Sequence, residues 1–367
     1  MSKLEELIQQ YCPDGVEYKH LKDVLKIKNG KDYKHLDKGL IPVYGSGGIM
    51  TYVDTPMYSK PSVLIPRKGS IDKLYYVDTP FWNVDTVFYT EIDTSKVVEK
   101  YVYYVLQKEH LEKLNTAGGV PSLTQGVLNE VLIPVPPLPV QEEIVRILDN
   151  FAELQAELQA ELQKRLQQYN YYRDKLLTFN ELNRGGQSVS VEWKKLGDVC
   201  ELARGTRVVK KDLAADGTYP VYQNSLKPLG YYDQFNRAEE TTFIICAGAA
   251  GDIGYSKVKF WSADDCFSII CPETISNRYI FYCLTSQQNR IYSQVRKASI
   301  PRLSHSAVEA LHIPIPPLAE QQRIVDILDR FDKLTTDITT GLPAEIEARR
   351  KQYEYYRDQL LTFKQKA

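Results

Sequence analysis

The chain is written twice. Leu132 to Phe151 reads LIPVPPLPVQEEIVRILDNF, and His312 to Phe331 reads HIPIPPLAEQQRIVDILDRF, 180 residues later. Tyr169 to Phe179 reads YNYYRDKLLTF and returns as YEYYRDQLLTF from Tyr353 to Phe363, after 184 residues. Val16-Glu17-Tyr18-Lys19 returns as Val191-Glu192-Trp193-Lys194, Pro42-Val43-Tyr44 as Pro220-Val221-Tyr222, and Val120-Pro121-Ser122-Leu123 as Ile300-Pro301-Arg302-Leu303. Several ordered matches over half a chain exclude chance, and the drifting offset means small insertions between two copies of one unit. The matches are dense in the Pro-rich turn and in the helical segment after it. In the stretches 22–119 and 196–299 they thin to scattered Pro, Gly and aromatic positions. Each copy therefore joins a shared frame to a part that is free to differ.

The variable parts carry short apolar runs bounded by turn-forming residues. Ser62 to Pro66, Val84 to Tyr89, Thr241 to Cys246 and Cys266 to Cys271 read as strands. Val97 to Leu114 and Ile280 to Val295 place Tyr, Val and Leu at helical spacing. The mixture predicts an α+β architecture with two globular parts of mixed α/β or α+β type. Next come Ile133-Pro134-Val135-Pro136-Pro137 and Ile313-Pro314-Ile315-Pro316-Pro317. Proline has no amide donor and disfavours helix in the residue before it, so a helix should begin just after each turn.

The first such helix is expected from about Gln141 to Phe179. Ile144, Leu148, Phe151, Leu154, Leu158, Leu162, Leu166, Tyr169, Tyr172 and Leu176 form one apolar stripe at spacings of three and four. At 1.5 Å per residue it would be about 55–60 Å long, against a radius of gyration near 14 Å for a domain of ~130 residues. The second helix begins near Glu320 and carries Ile324, Ile327, Leu328, Phe331, Leu334 and Ile338. Gly341-Leu342-Pro343 should break it before a further helix to about Phe363. A lone amphipathic helix needs a partner for its stripe. The preferred reading pairs the two helices through Ile144, Leu148, Phe151, Leu158, Leu162, Ile324, Leu328 and Phe331. In the alternative, each stripe packs on its own globular part. One difference between the copies is the AELQ-AELQ-AELQ run from Ala152 to Gln163, which the second copy lacks.

Composition narrows the chemistry. The 367 residues suit two or three domains, and 43% apolar content suffices for ordinary cores. Formal net charge is −1 and the pI about 6.6, so any nucleic-acid contact must come from local basic clusters or share its charge with a partner. The six cysteines form no CxxC pair, and the five histidines show no metal-ligand spacing. Buried, reduced thiols are expected. The start, Met1 to Gln10, lacks an apolar signal core, and no apolar run approaches the ~20 residues of a membrane span. A cytoplasmic chain without membrane attachment is expected. No P-loop, HExxH, GxSxG or EF-hand pattern occurs. Gly45-Ser46-Gly47-Gly48 and Gly248-Ala249-Ala250-Gly251-Asp252 read as glycine turns, and Asp264-Asp265 as a solvated turn rather than a metal site. No metal or cofactor is expected.

Loops of both copies carry basic and polar groups suited to phosphates and base edges. In the first these are Lys31, Tyr44, Ser46, Arg67, Lys68, Ser70, Ser122, Thr124 and Gln125. In the second they are Arg204, Arg207, Lys210, Tyr222, Asn224, Arg302, Ser304 and His305.

The duplicated IPxPPLxxQxxIVxILDxF and YxYYRDxLLTF blocks resemble the repeated regions of type I restriction–modification specificity subunits, across essentially the whole chain. The resemblance implies target recognition domains at 1–138 and 187–317, each reading half of a bipartite, asymmetric site in double-stranded DNA. It implies spacer helices at 139–186 and 318–367, paired as an antiparallel coiled coil, that set the separation of the half-sites. It implies docking of two modification (methyltransferase) subunits and, in the full complex, of ATP-dependent restriction subunits, while this chain itself stays non-catalytic. Two other readings compete. A self-sufficient restriction or modification enzyme would act alone with S-adenosylmethionine or Mg²⁺. A paired-helix scaffold would show no sequence-selective DNA binding.

Overall fold

A computed structural model describes residues 2–115, 121–179, 191–214, 216–336 and 340–366. The chain forms two compact units, Met1–Leu158 with Ile346–Ala367, and Gln159–Glu345. Each unit therefore combines one variable part with the head of its own copy's helix and the tail of the other copy's helix.

The first unit opens with α1 (Lys3–Tyr11), whose Ser2 and Glu5 form a reciprocal cap. There follow β1 (Tyr18–His20), α2 (Leu21–Val24), β2 (Leu25–Asn29), β3 (Lys38–Gly45), β4 (Gly48–Val53), β5 (Ser62–Pro66), β6 (Tyr75–Val77), β7 (Trp82–Asn83) and β8 (Val87–Ile92). Then come α3 (Glu99–Lys108), α4 (Gln125–Asn129), β9 (Leu132–Pro134) and α5 (Leu138–Thr178). The strands form a four-stranded sheet β2-β8-β5-β6, a three-stranded sheet β4-β3-β7 and the pair β1-β9. Every residue of β5 is buried. One main core, including Val63, Ile65, Phe88 and Tyr101, takes in α3 and the α5 residues Ile144 and Leu148. A smaller one gathers Leu64, Val77, Phe81 and Val87.

The second unit repeats the plan: β10 (Glu192–Lys195), α6 (Leu196–Val199), β11 (Glu201–Arg204), β12 (Tyr219–Tyr222), β13 (Gly230–Tyr232), β14 (Thr241–Ile245), β15 (Ile253–Ser256), β16 (Trp261–Ser262) and β17 (Cys266–Ile270). Then follow α7 (Asn277–Ser286), α8 (Gln288–Ser293), α9 (His305–Glu309), β18 (His312–Ile315), α10 (Leu318–Thr336) and α11 (Leu342–Leu360). The sheets are β11-β17-β14-β15, β13-β12-β16 and β10-β18, strand for strand the order of the first unit.

Several boundaries differ from the sequence reading: the strand expected at 84–89 is β8 at Val87–Ile92, and the second long helix starts at Leu318 rather than near Glu320. The stretch 97–114 is a shorter helix, stopped before His110 at φ +50, and then a 3₁₀ turn from Leu111 to Leu114. The stretch 280–295 divides into α7 and α8 at Gln287. The first long helix starts at Leu138, because Pro139 fits the first turn, where an amide donor has no partner to lose. The break before α11 falls at Gly341 as expected, with Pro343 in the new first turn; Ile338 lies outside the described residues.

In each unit a fully buried glutamine fastens the variable part to its helix. Val98 N–H donates to Gln141 Oε1 at 2.8 Å, and Gln141 Nε2 donates to Lys96 O and Pro136 O at 3.0 and 2.7 Å. Ser276 N–H donates to Gln321 Oε1 at 2.9 Å, and Gln321 Nε2 donates to Thr274 O and Pro316 O at 3.3 and 2.9 Å. An ion pair stands beside each: Lys100 with Asp149 at 2.9 Å, and Arg278 with Asp329 and Asp332, both at 2.8 Å. Arg278 also lies 4.6–4.8 Å from the rings of Tyr255, Phe281 and Tyr282.

The apolar stripe serves two purposes. Ile144, Leu148, Ile324 and Leu328 are fully buried in the cores of their units. Phe151 stacks on Tyr356 at 5.5 Å in the first unit, and Phe331 on Tyr172 at 5.8 Å in the second. The start of each copy's helix thus meets the end of the other's, the contact order of an antiparallel pair. Leu158 and Leu162 are half-buried, and Leu154, read as part of the stripe, is 50% exposed.

Candidate nucleic-acid interface

Four segments converge in the first unit. The loop after β5 pairs with the segment before α4: Lys68 bridges Ser122, Gly69 N–H donates to Pro121 O at 3.3 Å, and Leu123 N–H donates to Arg67 O at 2.8 Å. Arg67 N–H donates to Thr86 O at 2.9 Å, which attaches the turn before β8. The β3–β4 turn comes alongside: Tyr75 Oη donates to Ser46 O at 3.1 Å, and a Cβ on Gly69 would stand 3.4 Å from Ser46 Oγ. Gly69 has φ +78, a conformation that favours glycine. The Arg67 guanidinium lies 5.2 Å from the centre of the Phe88 ring, and its Nη1 donates to Asn29 Oδ1 at 3.4 Å.

The second unit builds the same cluster on the same bonds. Ala247 bridges Arg302, Gly248 N–H donates to Pro301 O at 3.2 Å, and Leu303 N–H donates to Cys246 O at 2.9 Å. Cys246 N–H donates to Asp265 O at 2.7 Å, and Ala249 N–H donates to Asn224 O at 2.9 Å. Gly248 has φ +87, and a Cβ there would come within 2.8 Å of Asn224 O. Arg204 Nε donates to Asp264 O at 3.1 Å, and Arg302 is paired through its backbone to Arg296.

Electrostatics in the second cluster follow from partial burial. Burial and the neighbouring Asp264 raise the Asp265 carboxyl, against the pull of Arg302 and Arg204. Burial pushes the Cys246 thiol up to about 11, so it is no thiolate at neutral pH. Four side-chain atoms are buried without a partner among the described residues: Arg67 Nε, Asn83 Oδ1, Arg237 Nε and Asp264 Oδ1. Arg67 and Asp264 belong to the clusters, and Arg237 touches the second, its Nη2 donating to Arg204 O. Unsatisfied buried groups are rare in folded proteins.

The predicted residues divide. Ser46, Arg67, Lys68, Ser70 and Ser122 come together in one cluster, and Arg204, Asn224 and Arg302 in the other. Lys31 and Arg207 are exposed just past β2 and β11. Lys210 starts a 3₁₀ turn, its side chain outside the described residues. The remaining side chains have internal partners. Tyr44 packs on Tyr75 and Phe81, and Tyr222 on Phe243 and Phe260, where the smaller sheet meets the larger. Thr124 and Ser304 cap α4 and α9, which uses their hydroxyl oxygens. Gln125 Nε2 donates to Ile27 O at 3.3 Å. His305 Nε2 lies 3.0 Å from Leu202 O, Nδ1 lies 3.1 Å from Glu309, and the ring meets Phe267 edge-on. Tyr44 and Tyr222 pack inward, while Thr124, Ser304 and His305 stay exposed with their polar atoms already engaged.

Asn29, Thr86, Cys246, Ala247, Asp264, Asp265 and Arg296 were missed. A signal existed in FWNVDTVF (Phe81–Phe88) and FWSADDCF (Phe260–Phe267), a further repeat that aligns Asp85-Thr86 with Asp264-Asp265. Among the described residues, no group of three or more His, Cys, Asp or Glu could hold a metal ion. No described helix is long and apolar enough to cross a membrane.

Comparison with known proteins agrees with the duplicated frame. The type I restriction modification DNA specificity domain matches residues 13–168 and again 189–348. The chain is 34% identical over 307 residues to the EcoR124I/EcoR124II specificity subunit of Escherichia coli, covering 75% of this chain and 73% of that protein. It is 32% identical over 395 residues to a putative type I restriction enzyme specificity subunit of Haemophilus influenzae, covering 98% of each. Among solved structures, the specificity subunit of Mycoplasma genitalium superposes with a TM-score of 0.67 at 18% identity, over 95% of this chain and 96% of that one. A chain from a study of type I complex assembly and conformational transition superposes with a TM-score of 0.58 at 14% identity, over 95% and 98%. Two matching units on one frame, each matched by a DNA specificity domain, define a DNA-reading class of protein. The chain belongs to the type I restriction–modification specificity subunit family, the DNA-recognising and non-catalytic component of such systems.

Proposed function

We propose that each loop cluster reads one half of a bipartite, asymmetric DNA site. The carrying observation is that two clusters with matching backbone bonds present different side chains, the arrangement that two unlike half-sites require. Recognition parts at 1–138 and 187–317 supply the loops, and the helices at 139–186 and 318–367 set their separation. Arg67, Lys68 and Ser122 in one cluster, and Arg204, Asn224 and Arg302 in the other, supply forks and hydroxyls for phosphates and base edges. Those helices dock two modification subunits, which methylate adenine, and restriction subunits complete the nuclease. Near-neutral charge suits a reader whose partners share the phosphate contacts. The complex would work in the cytoplasm, where the host's DNA lies.

The test is methylation sequencing of a host that expresses this chain with its modification subunits. The expected result is one bipartite motif with adenine methylated in each half. Exchange of residues 22–119 for those of a relative should change one half alone. A continuous motif, or an exchange that changes both halves, refutes the reading.

A further inference from the structure

The two clusters share a frame but not a chemistry. Strand register aligns four positions. Asn29 and Arg204 stand opposite Phe88 and Phe267. Arg67 and Cys246 accept from Leu123 and Leu303 and donate to Thr86 and Asp265. Ser122 and Arg302 bridge Lys68 and Ala247. In the first cluster a cation is central, at Arg67, with Lys68 beside it and the neutral Asn29, Thr86 and Ser122 around it. In the second the centre is a buried thiol, the arginines stand at the flanks, and a carboxylate replaces Thr86.

That carboxylate is out of place for affinity alone. Acidic groups repel phosphate, so an aspartate among DNA-facing loops weakens non-specific binding. It is also half-buried, at a cost in desolvation. Carboxylates have one established use against base edges, as acceptors for the cytosine N4 amino group, while an arginine fork fits guanine O6 and N7. A carboxylate between two arginines therefore matches both bases of one pair.

On the half-site reading proposed above, we infer that Asp265, flanked by Arg204 and Arg302, is a specificity-determining residue that selects a C·G pair in the half-site of the second unit. Thr86 holds the corresponding position for the first.

The experiment is methylation sequencing of wild type, Asp265→Asn and Thr86→Asp, each assembled with its modification subunits, with thermal melts of the purified complexes. Domain exchange assigns each half of the motif to its unit. Asp265→Asn should relax one C·G position in the second half, with discrimination falling about tenfold or more, and leave the first half and the spacer intact. Thr86→Asp should alter the first half alone, which keeps the inference testable if the other variant folds poorly. An unchanged motif in Asp265→Asn, whether methylation is full or slowed, would reduce Asp265 to a counter-ion for its arginines and overturn the inference. So would relaxation of both halves together. A wild type without a bipartite motif would instead overturn the half-site reading itself.

Discussion

Replacing Gln321 by leucine removes the buried clasp of the second unit with almost no change in side-chain volume. Three backbone groups lose their partner: Ser276 N–H, Thr274 O and Pro316 O. A buried orphaned N–H costs about 1–3 kcal/mol. Each carbonyl keeps a second lone pair, and the Thr274 contact is long at 3.3 Å, so the two together add about 1–2 kcal/mol. Burial of the leucine returns about 1 kcal/mol. The net loss is about 1–4 kcal/mol, a sizeable part of the 5–15 kcal/mol typical of a domain. Gln141→Leu should do the same to the first unit, through Val98, Lys96 and Pro136. The tryptophans separate the units: Trp82 lies in the first, Trp193 and Trp261 in the second. In a Trp82→Phe background, urea unfolding followed by fluorescence reports the second unit alone, and Gln321→Leu should lower its midpoint while Gln141→Leu leaves it nearly unmoved. A loss under about 1 kcal/mol for Gln321→Leu would refute the reasoning, because it would mean the three groups find water or other partners.

Three further outcomes are expected. Gly248→Ala should cost at least about 1–2 kcal/mol from its φ of +87 alone, and the clash with Asn224 O should weaken selection of the second half-site while the first stays sharp; melting and methylation sequencing read the two effects. Deletion of one AELQ unit (Ala156 to Gln159) shortens the helix by about 6 Å, close to two base pairs, so the methylated motif should return with a shorter spacer and the same halves. Glu143, 3% exposed, is held down to about 2 by hydrogen bonds from Arg146 and then Lys3. Because its folded pKa is depressed, its stabilisation is present above its ordinary value of 4.5 and lost as pH falls toward 2. Glu143→Gln should therefore cost about 1–2 kcal/mol at pH 7, reduced from the linkage limit of about 3 because both cations face water, and the difference from wild type should vanish near pH 2.

Much of this protein was legible in its sequence because the signals were local and written twice. Proline placed the helix starts, Gly341 and Pro343 placed the break, and spacing of three and four gave the apolar stripe. Repetition alone established two units of one plan, and family motifs supplied the subject being read, since a net charge of −1 would not have suggested DNA. The candidate site was legible only in part. Arg67, Lys68, Ser122, Arg204, Asn224 and Arg302 were visible as loop chemistry, but so were Tyr44, Thr124, Ser304 and His305, whose polar or ring groups are engaged within the fold. A side chain's type does not say whether its donors and acceptors are already engaged; that depends on what packing places within about 3 Å. Asp264-Asp265 was legible as a turn within a repeat, but its place beside Arg204 and Arg302 was not, because it rests on backbone bonds between segments far apart in sequence. The sequence by itself determined the repeat, the helices and the family. The tertiary structure decided which loops converge, since convergence depends on long-range pairing that no local spacing encodes.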